Sequence, residues 1–266
     1  MATTTPPPAL LIRRAAAPNC PTAVMPLLKS TAGGSGSFLV LADDNNRYWC
    51  KCVQSPQGPR VCINEQIVGR VARLIGAATC PVSVVRIPPE LADWEFRPGH
   101  RLVPGYVHGS LAVDGVTETH ALQHRNDDDN ANRYTSLGVL ADWCWGSDPQ
   151  WLYAPADENR YTSHDHGHYF PNGPNWTPEA LRGNDAAAQG PSTATFLPMR
   201  DATTRTLCDL LEGVTLEQLA DTLGDLPSDW PITNDELIEM VNFLDRRRQA
   251  VAARLRLQLP TPGGTP

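Results

Sequence analysis

Lysine is nearly missing from this chain. Of 22 basic residues only Lys29 and Lys51 are lysine, and the rest are arginine. Such a bias fits a GC-rich genome, where lysine codons are scarce, so a lysine kept in a strand-like segment asks for a reason. A basic surplus is missing too. The net charge is −7, which argues against a nucleic-acid partner, because backbone binding rests on clustered positive charge. No apolar run approaches the roughly 20 residues of a membrane helix, so no membrane partner is expected. The opening MATTTPPPALLIRRAAAP puts proline early and arginine late. That is the wrong order for a secretory leader, and a cytoplasmic protein is expected. Matched cysteine pairs are also lacking. Cys20, Cys50, Cys52, Cys62, Cys80, Cys144 and Cys208 are odd in number, and Cys50-x-Cys52 is no zinc-knuckle spacing. Reduced, mostly buried thiols are expected. No G-x-x-x-x-G-K-[ST] phosphate loop occurs.

What is present is an ordinary globular composition, 41% hydrophobic and 19% charged over 266 residues. That length suffices for one large domain or two lobes. Residues 1–24 are expected to be a disordered leader, rich in Pro, Thr and Ala over most of their length. Strands are expected near Pro26–Lys29, at Phe38–Ala42 and at Arg47–Gln54. A small-residue loop, Gly33-Gly34-Ser35-Gly36, joins the first two, and its backbone N–H groups could cradle phosphates. Alternation in the third strand points Tyr48, Cys50 and Cys52 one way, and Trp49, Lys51 and Val53 the other.

Arg60 to Ala77 reads as a helix with two apolar stripes. Ile63, Ile67, Val71 and Leu74 form one; Val61, Val68, Ala72 and Ile75 form the other, with Glu65 inside it. A helix apolar on two sides is expected to be buried, and a carboxylate there needs a partner. Lys51 is the nearest candidate in sequence. Cys80–Ile87 is a further strand, the acidic stretch 121–132 a solvated loop, and Tyr134–Trp145 a buried helix. That helix leads into Ser147-Asp148-Pro149. Asp165-His166-Gly167 follows seventeen residues after Asp148. A loop Asp, a hairpin-length insert and then Asp-x-Gly is a kinase-type arrangement. The first Asp orients an acceptor hydroxyl and the second holds Mg²⁺ on the phosphates. Thr215-x-x-Gln218 and Thr233-x-x-Glu236 are capping boxes that open two closing helices. The Asp245–Arg248 run in the last of these reads as a solvated face.

These residues together resemble the HipA-like kinase family, in its smaller, mostly bacterial stand-alone branch. Lys51 on a strand is followed by Gly58-x-Arg60-x-x-x-Asn64-Glu65 opening a helix. Cys80-Pro-Val-Ser-Val-Val85, His108-Gly-Ser110, the Asp142 to Asp148 spacing, Asp165-His-Gly-x-x-Phe170 and Leu226-Pro-x-Asp-Trp230 continue the pattern over roughly residues 25–256. The resemblance implies an α+β, two-lobed, protein-kinase-like fold. Its parts would be an N-lobe at 25–107, a C-lobe at 108–259 and a tail at 260–266. It implies ATP and Mg²⁺ as cofactors, and transfer to a protein Ser or Thr. Lys51 would contact the phosphates, anchored by Glu65, with the loop of Gly33, Gly34, Ser35 and Gly36 above them. Asp148 would be the catalytic Asp and Asp165 the metal ligand.

The family pattern has Asp-Arg, then Asn five residues after the catalytic Asp. Here Pro149 and Tyr153 stand at those positions, and Asn159 or Asp157 could substitute for the Asn. A degenerate kinase fold that binds nucleotide or a protein partner without catalysis is therefore the alternative. A third reading is a zinc hydrolase on His164-Asp-His-Gly-His168, whose three histidines would share one strand face.

Overall fold

The computed structural model describes residues 12–29, 34, 36–119 and 123–260. The chain first builds a five-stranded antiparallel sheet. β1 (Ala23–Lys29), β2 (Phe38–Ala42) and β3 (Arg47–Lys51) form a meander. α1 (Arg60–Leu74), β4 (Val82–Ile87), the hairpin β5 (Glu95–Arg97) and β6 (His100–Arg101), and β7 (Gly105–Leu111) follow. β7 inserts between β3 and β4, giving the order β1-β2-β3-β7-β4. The turn into β3 is fixed by Asp44, which accepts from the Asn46 backbone and from the Tyr48 hydroxyl.

Strand alternation splits this sheet into two environments. Phe38, Val40, Tyr48, Cys50, Cys52, Val85 and Val107 face one way and meet Phe96 and Leu102 of the β5–β6 region in a separate small core. Val84 faces the other way, into the main core with both stripes of α1. Asn64, Glu65 and Gln66 are buried in the middle of that helix, so α1 is apolar on two sides with three polar groups at its waist. The expected burial of α1 holds, and its Glu65 is 1% exposed.

The chain leaves the sheet after Leu111, so β7 extends past the 107/108 division expected from the sequence. Residues 112–116 lead to β8 (Thr117–Thr119), α2 (Asn130–Trp143), β9 (Gln150–Ala154) and β10 (Arg160–His164), with a second sheet ordered β10-β9-β8. α3 (Pro178–Gly183), α4 (Asp201–Gly213), α5 (Leu216–Leu223) and α6 (Asn234–Gln258) complete this helical half. Both expected capping boxes form, on Thr215 with Gln218 and on Thr233 with Glu236. The architecture is α+β and two-lobed. No helix among the described residues is long and apolar enough to cross a membrane.

Two expectations change. From Ile12 the leader is packed rather than disordered. Ile12 is in the main core, and Arg14 donates to the carbonyls of Pro227, Trp230 and Ile232. The arginine run of α6 is not a solvated face either. Arg247 is 0% exposed and Arg248 is also buried. Counting charges overlooked that a guanidinium can enter a core where several carbonyls converge on its fork.

Candidate active site

Lys51 ends β3 with its side chain on the α1 side of the sheet. Its ammonium donates to Glu65 Oε1 at 2.6 Å and to Asp165 Oδ1 at 2.6 Å. One of only two lysines thus joins the small lobe's helix to the loop that follows β10. Burial opposes the charge on Lys51, but Glu65 and Asp165 outweigh it and hold its pKa above the ordinary lysine value. Burial likewise opposes the charge on Glu65. Lys51, with help from His108 and His166, holds that carboxyl far below the usual range. Both groups are therefore charged at neutral pH.

A second set of contacts fixes the loop Asp165-His166-Gly167. Glu65 Oε2 accepts from the His166 backbone N–H at 2.9 Å. Asn64, the preceding helix residue, donates to the carbonyls of Gly167 at 2.8 Å and Tyr169 at 3.1 Å, and accepts from the Trp176 indole at 2.9 Å. His166 pairs with Ser163 Oγ at 3.0 Å. Asp165 sits at φ 57°, the left-handed region that a short polar side chain tolerates. A Cβ added to Gly167 would come within 2.7 Å of Val61, so the loop lies too close to α1 for a side chain there. Across the sheet, Lys51 is paired in register with His108, whose Nδ1 faces Gln66 Nε2 at 3.0 Å. Burial pushes His108 and His166 down to about 4, so both are neutral at pH 7.

The other acidic position lies at the same end of the β9–β10 hairpin. The last pair in register is Gln150 with His164, so Asp148 precedes one strand and Asp165 follows the other. Asp148 is exposed, at φ 52°, and Oδ2 accepts from Gln150 Nε2 at 3.2 Å. Tyr153, five residues on, is buried in β9 and its ring packs on Tyr161 and His124. It does not reach the site. Asn159 and Asp157 are in the turn at the far end of the hairpin, roughly 20 Å away along the strand, and Asn159 binds Asp127 instead. Neither substitutes for the missing Asn.

Asp165, whose Oδ1 takes Lys51, suits Mg²⁺, which is held by one or two carboxylates plus substrate phosphates. Among the described residues no group of three or more His, Cys, Asp or Glu could hold a metal by itself. The three histidines do not share a face. His164 ends β10 beside Glu118, while His166 turns inward to Ser163. Zinc chemistry on this set is thereby set aside. Gly33 and Ser35 lie outside the described residues. Gly34 and Gly36 lie in the β1–β2 turn, where Gly34 accepts from Arg97 and Gly36 has φ +68°.

Residues 25–144 match the family model described as HipA-like kinase. This stretch contains Lys51 and Glu65, and it ends one residue past α2, before Asp148 and Asp165. No curated protein matches the chain. Among solved structures, the proinflammatory kinase CtkA of Helicobacter pylori aligns at TM-score 0.48 and 8% identity, over 92% of this chain and 98% of that one. The Golgi casein kinase with Mn and ADP bound aligns at 0.46 and 10%, over 91% and 73%. HipA of Shewanella oneidensis MR-1, in complex with HipB and operator DNA, aligns at 0.30 and 11%, over 87% and 66%. Sequence reasoning named Asn64 and His108 in the family pattern without giving them a role, and missed Gln150. Asn64 had a visible signal, an amide inside an otherwise apolar helix; Gln150 had none until the hairpin register was known.

Proposed function

We propose that this chain is an ATP- and Mg²⁺-dependent phosphotransferase of the HipA-like kind, acting on an alcohol group, most simply a protein Ser or Thr. The observation that carries the reading is Lys51 held between Glu65 and Asp165. A buried, permanently charged ammonium between two lobes is a phosphate ligand in waiting, and phosphoryl transfer needs positioning and charge neutralisation above all. Magnesium bound to the triphosphate would neutralise charge that builds on the transferred group. Lys51 would fix the phosphates, and Glu65 would fix Lys51. Asp165, whose side chain is 25% exposed, would turn its free oxygen to the metal. Asp148 would orient the acceptor hydroxyl, and Gln150 would hold Asp148.

The test is transfer of labelled γ-phosphate from ATP to the protein itself or to a Ser/Thr peptide mixture. It should be run on the wild type, Asp148→Asn and Asp165→Asn. Transfer by the wild type and its loss in both variants supports the reading. Burial of Tyr153 where the family has Asn favours a second reading, a nucleotide-binding scaffold without transfer. ATP binding with no label transferred by the wild type would decide for it.

A further inference from the structure

A cavity of about 660 Å³ lies where the leader, α1, β4 and the end of α5 meet. Its size is that of a small-molecule site. The leader lines it from Ala15 to Cys20 and is tied at both ends. On the α5 side, the Asp225 N–H donates to the Arg13 carbonyl, Ala15 to Leu226 and Ser228 to Ala15. On the sheet side, Arg86 of β4 donates to the Pro21 carbonyl. Residues 16–19, between the ties, make no backbone–backbone hydrogen bond among the described residues. Ala17, Pro18 and Asn19 form cavity wall instead.

The α1 wall supplies two guanidinium groups. Gln66, Arg70 and Arg73 follow one another at i, i+4 and i+7 on one face of the helix, and both arginines line the cavity. Arg70 Nη1 donates to the carbonyls of Thr222 at 3.3 Å and Gly224 at 2.6 Å, and Nε donates to Gln66 Oε1 at 3.2 Å. Arg73 Nη2 donates to the Val82 carbonyl. Arg60, Arg247 and Arg248 each pair with a carboxylate. Among the described residues Arg70 and Arg73 pair with none, and Arg70 Nη2 and Arg73 Nε and Nη1 have no partner. Burial, and then the like charge of Arg73, lowers Arg70 to about 10 against the pull of Asp225, so it stays charged at pH 7. Two guanidinium groups with spare N–H donors and no carboxylate of their own match the oxygens of a phosphate. The α5 side of the cavity is different. Asp221 and Asp225 line it, and both are exposed. They repel a polyphosphate and accept from hydroxyl groups.

We infer that this cavity binds a small phosphate monoester of the sugar-phosphate kind, its phosphate on Arg70 and Arg73 and its hydroxyl groups toward Asp221 and Asp225. The site is distinct from the one at Lys51. Arg70 and Arg73 lie past Glu65 by about 8 and 12 Å along the axis of α1, so the inference stands or falls without the nucleotide reading. A ligand seated there touches the leader, α1 and the end of α5 together, and its binding holds the leader down.

The experiment is calorimetric titration with ribose 5-phosphate and with inorganic phosphate, free of Mg²⁺ and nucleotide, on the wild type, Arg73→Gln and Asp165→Asn. Arg73 is exposed, and thermal unfolding checks that its variant is folded. The wild type and Asp165→Asn should bind ribose 5-phosphate alike and more tightly than inorganic phosphate. Arg73→Gln should bind it about tenfold more weakly, the scale of one lost charged hydrogen bond. Hydrogen exchange on the wild type gives a readout that needs no variant. Ribose 5-phosphate should slow the amides of Ala15, Asp225 and Ser228, which join the leader to the end of α5. A wild type that binds neither probe at millimolar concentration overturns the site. So does ribose 5-phosphate binding that Arg73→Gln leaves unchanged, or that Asp165→Asn abolishes, since the phosphate then sits at Lys51. Ribose 5-phosphate bound no more tightly than inorganic phosphate overturns the sugar-phosphate assignment.

Discussion

Lys51 Nζ stands 2.6 Å from Glu65 Oε1 with both side chains almost fully buried. Removing one member of such a pair leaves an uncompensated buried charge, which costs roughly 3–5 kcal/mol. Lys51→Met is therefore expected to abolish phosphoryl transfer and to lower stability by about that amount. The double variant Lys51→Met, Glu65→Gln should recover much of the stability and none of the activity. Urea unfolding of the two variants checks the first half. A double variant as unstable as the single one would mean that the pair is not the source of the loss.

The two histidines behind this pair make stability depend on pH. His108 and His166 are both pushed down to about 4 by burial, against about 6.5 in an unfolded chain. Their folded forms resist protonation, so the unfolded chain binds more protons between these values. The stability they contribute is complete above pH 6.5 and is lost as pH falls toward 4. The groups around them act together: Glu65, Lys51, His164, Asp165 and Arg70 all enter. The upper bound is on the order of 3 kcal/mol for each histidine. Urea midpoints at pH 7.5, 6 and 5 should fall in the wild type, and the fall should be shallower in His108→Gln. A flat profile across that range refutes the assignment.

Part of the candidate site was legible in the sequence. A lysine in a chain that shuns lysine, a glutamate in an apolar helix stripe, and two loop aspartates around a hairpin are local signals, and the fold brings Lys51, Glu65 and Asp165 into contact. The contacts that tie distant segments together were not legible, because they run from side chains to carbonyls. Asn64 reaches Gly167 and Tyr169, and Arg247 reaches the end of α2. No periodicity encodes a side chain that binds backbone a hundred residues away. Tyr153 does stand five residues after Asp148, buried in β9, and the amide that reaches Asp148 is that of Gln150 at the start of the same strand; strand register decides which side chain returns to the loop.

Gln150 is accordingly the residue whose loss should be felt at Asp148. Gln150→Ala is expected to lower phosphoryl transfer by up to about a hundredfold, the scale of a misplaced reacting group, and to leave Mn²⁺ binding in the presence of nucleotide near wild type. Tyr153→Asn, which restores the family residue at its expected spacing, should gain nothing. It instead removes a buried ring packed on Tyr161, at a cost of about 3 kcal/mol. Labelled-phosphate transfer, with manganese titration by electron paramagnetic resonance beside it, checks both variants, and loss of manganese binding in Gln150→Ala would contradict the assignment of Gln150 to Asp148. Improved metal binding by Tyr153→Asn would contradict the register argument.

Arg247 makes a prediction remote from the chemistry. Its guanidinium donates to the carbonyls of Trp143 at 3.0 Å and Ala188 at 3.2 Å, and its NH2 lies 3.3 Å from Asp142 Oδ1. Asp142 also accepts from the Gly190 backbone at 2.8 Å and from Arg254. One arginine of α6 thus fixes the C-terminal end of α2, from which the Asp148 loop departs, together with the segment 185–190. Burial lowers its pKa to about 10, so it remains charged at pH 7. Arg247→Met leaves several carbonyls and the buried Asp142 short of a partner, and a loss of roughly 3–5 kcal/mol is expected. Arg247→Lys should rescue little, since an ammonium cannot reproduce the planar fork that meets carbonyls on both sides. Hydrogen exchange should show the Gly190 amide and the last turn of α2 losing protection in both variants. Unchanged protection there, with stability within 1 kcal/mol of wild type, would show that Arg247 is a passenger in the core rather than its tie.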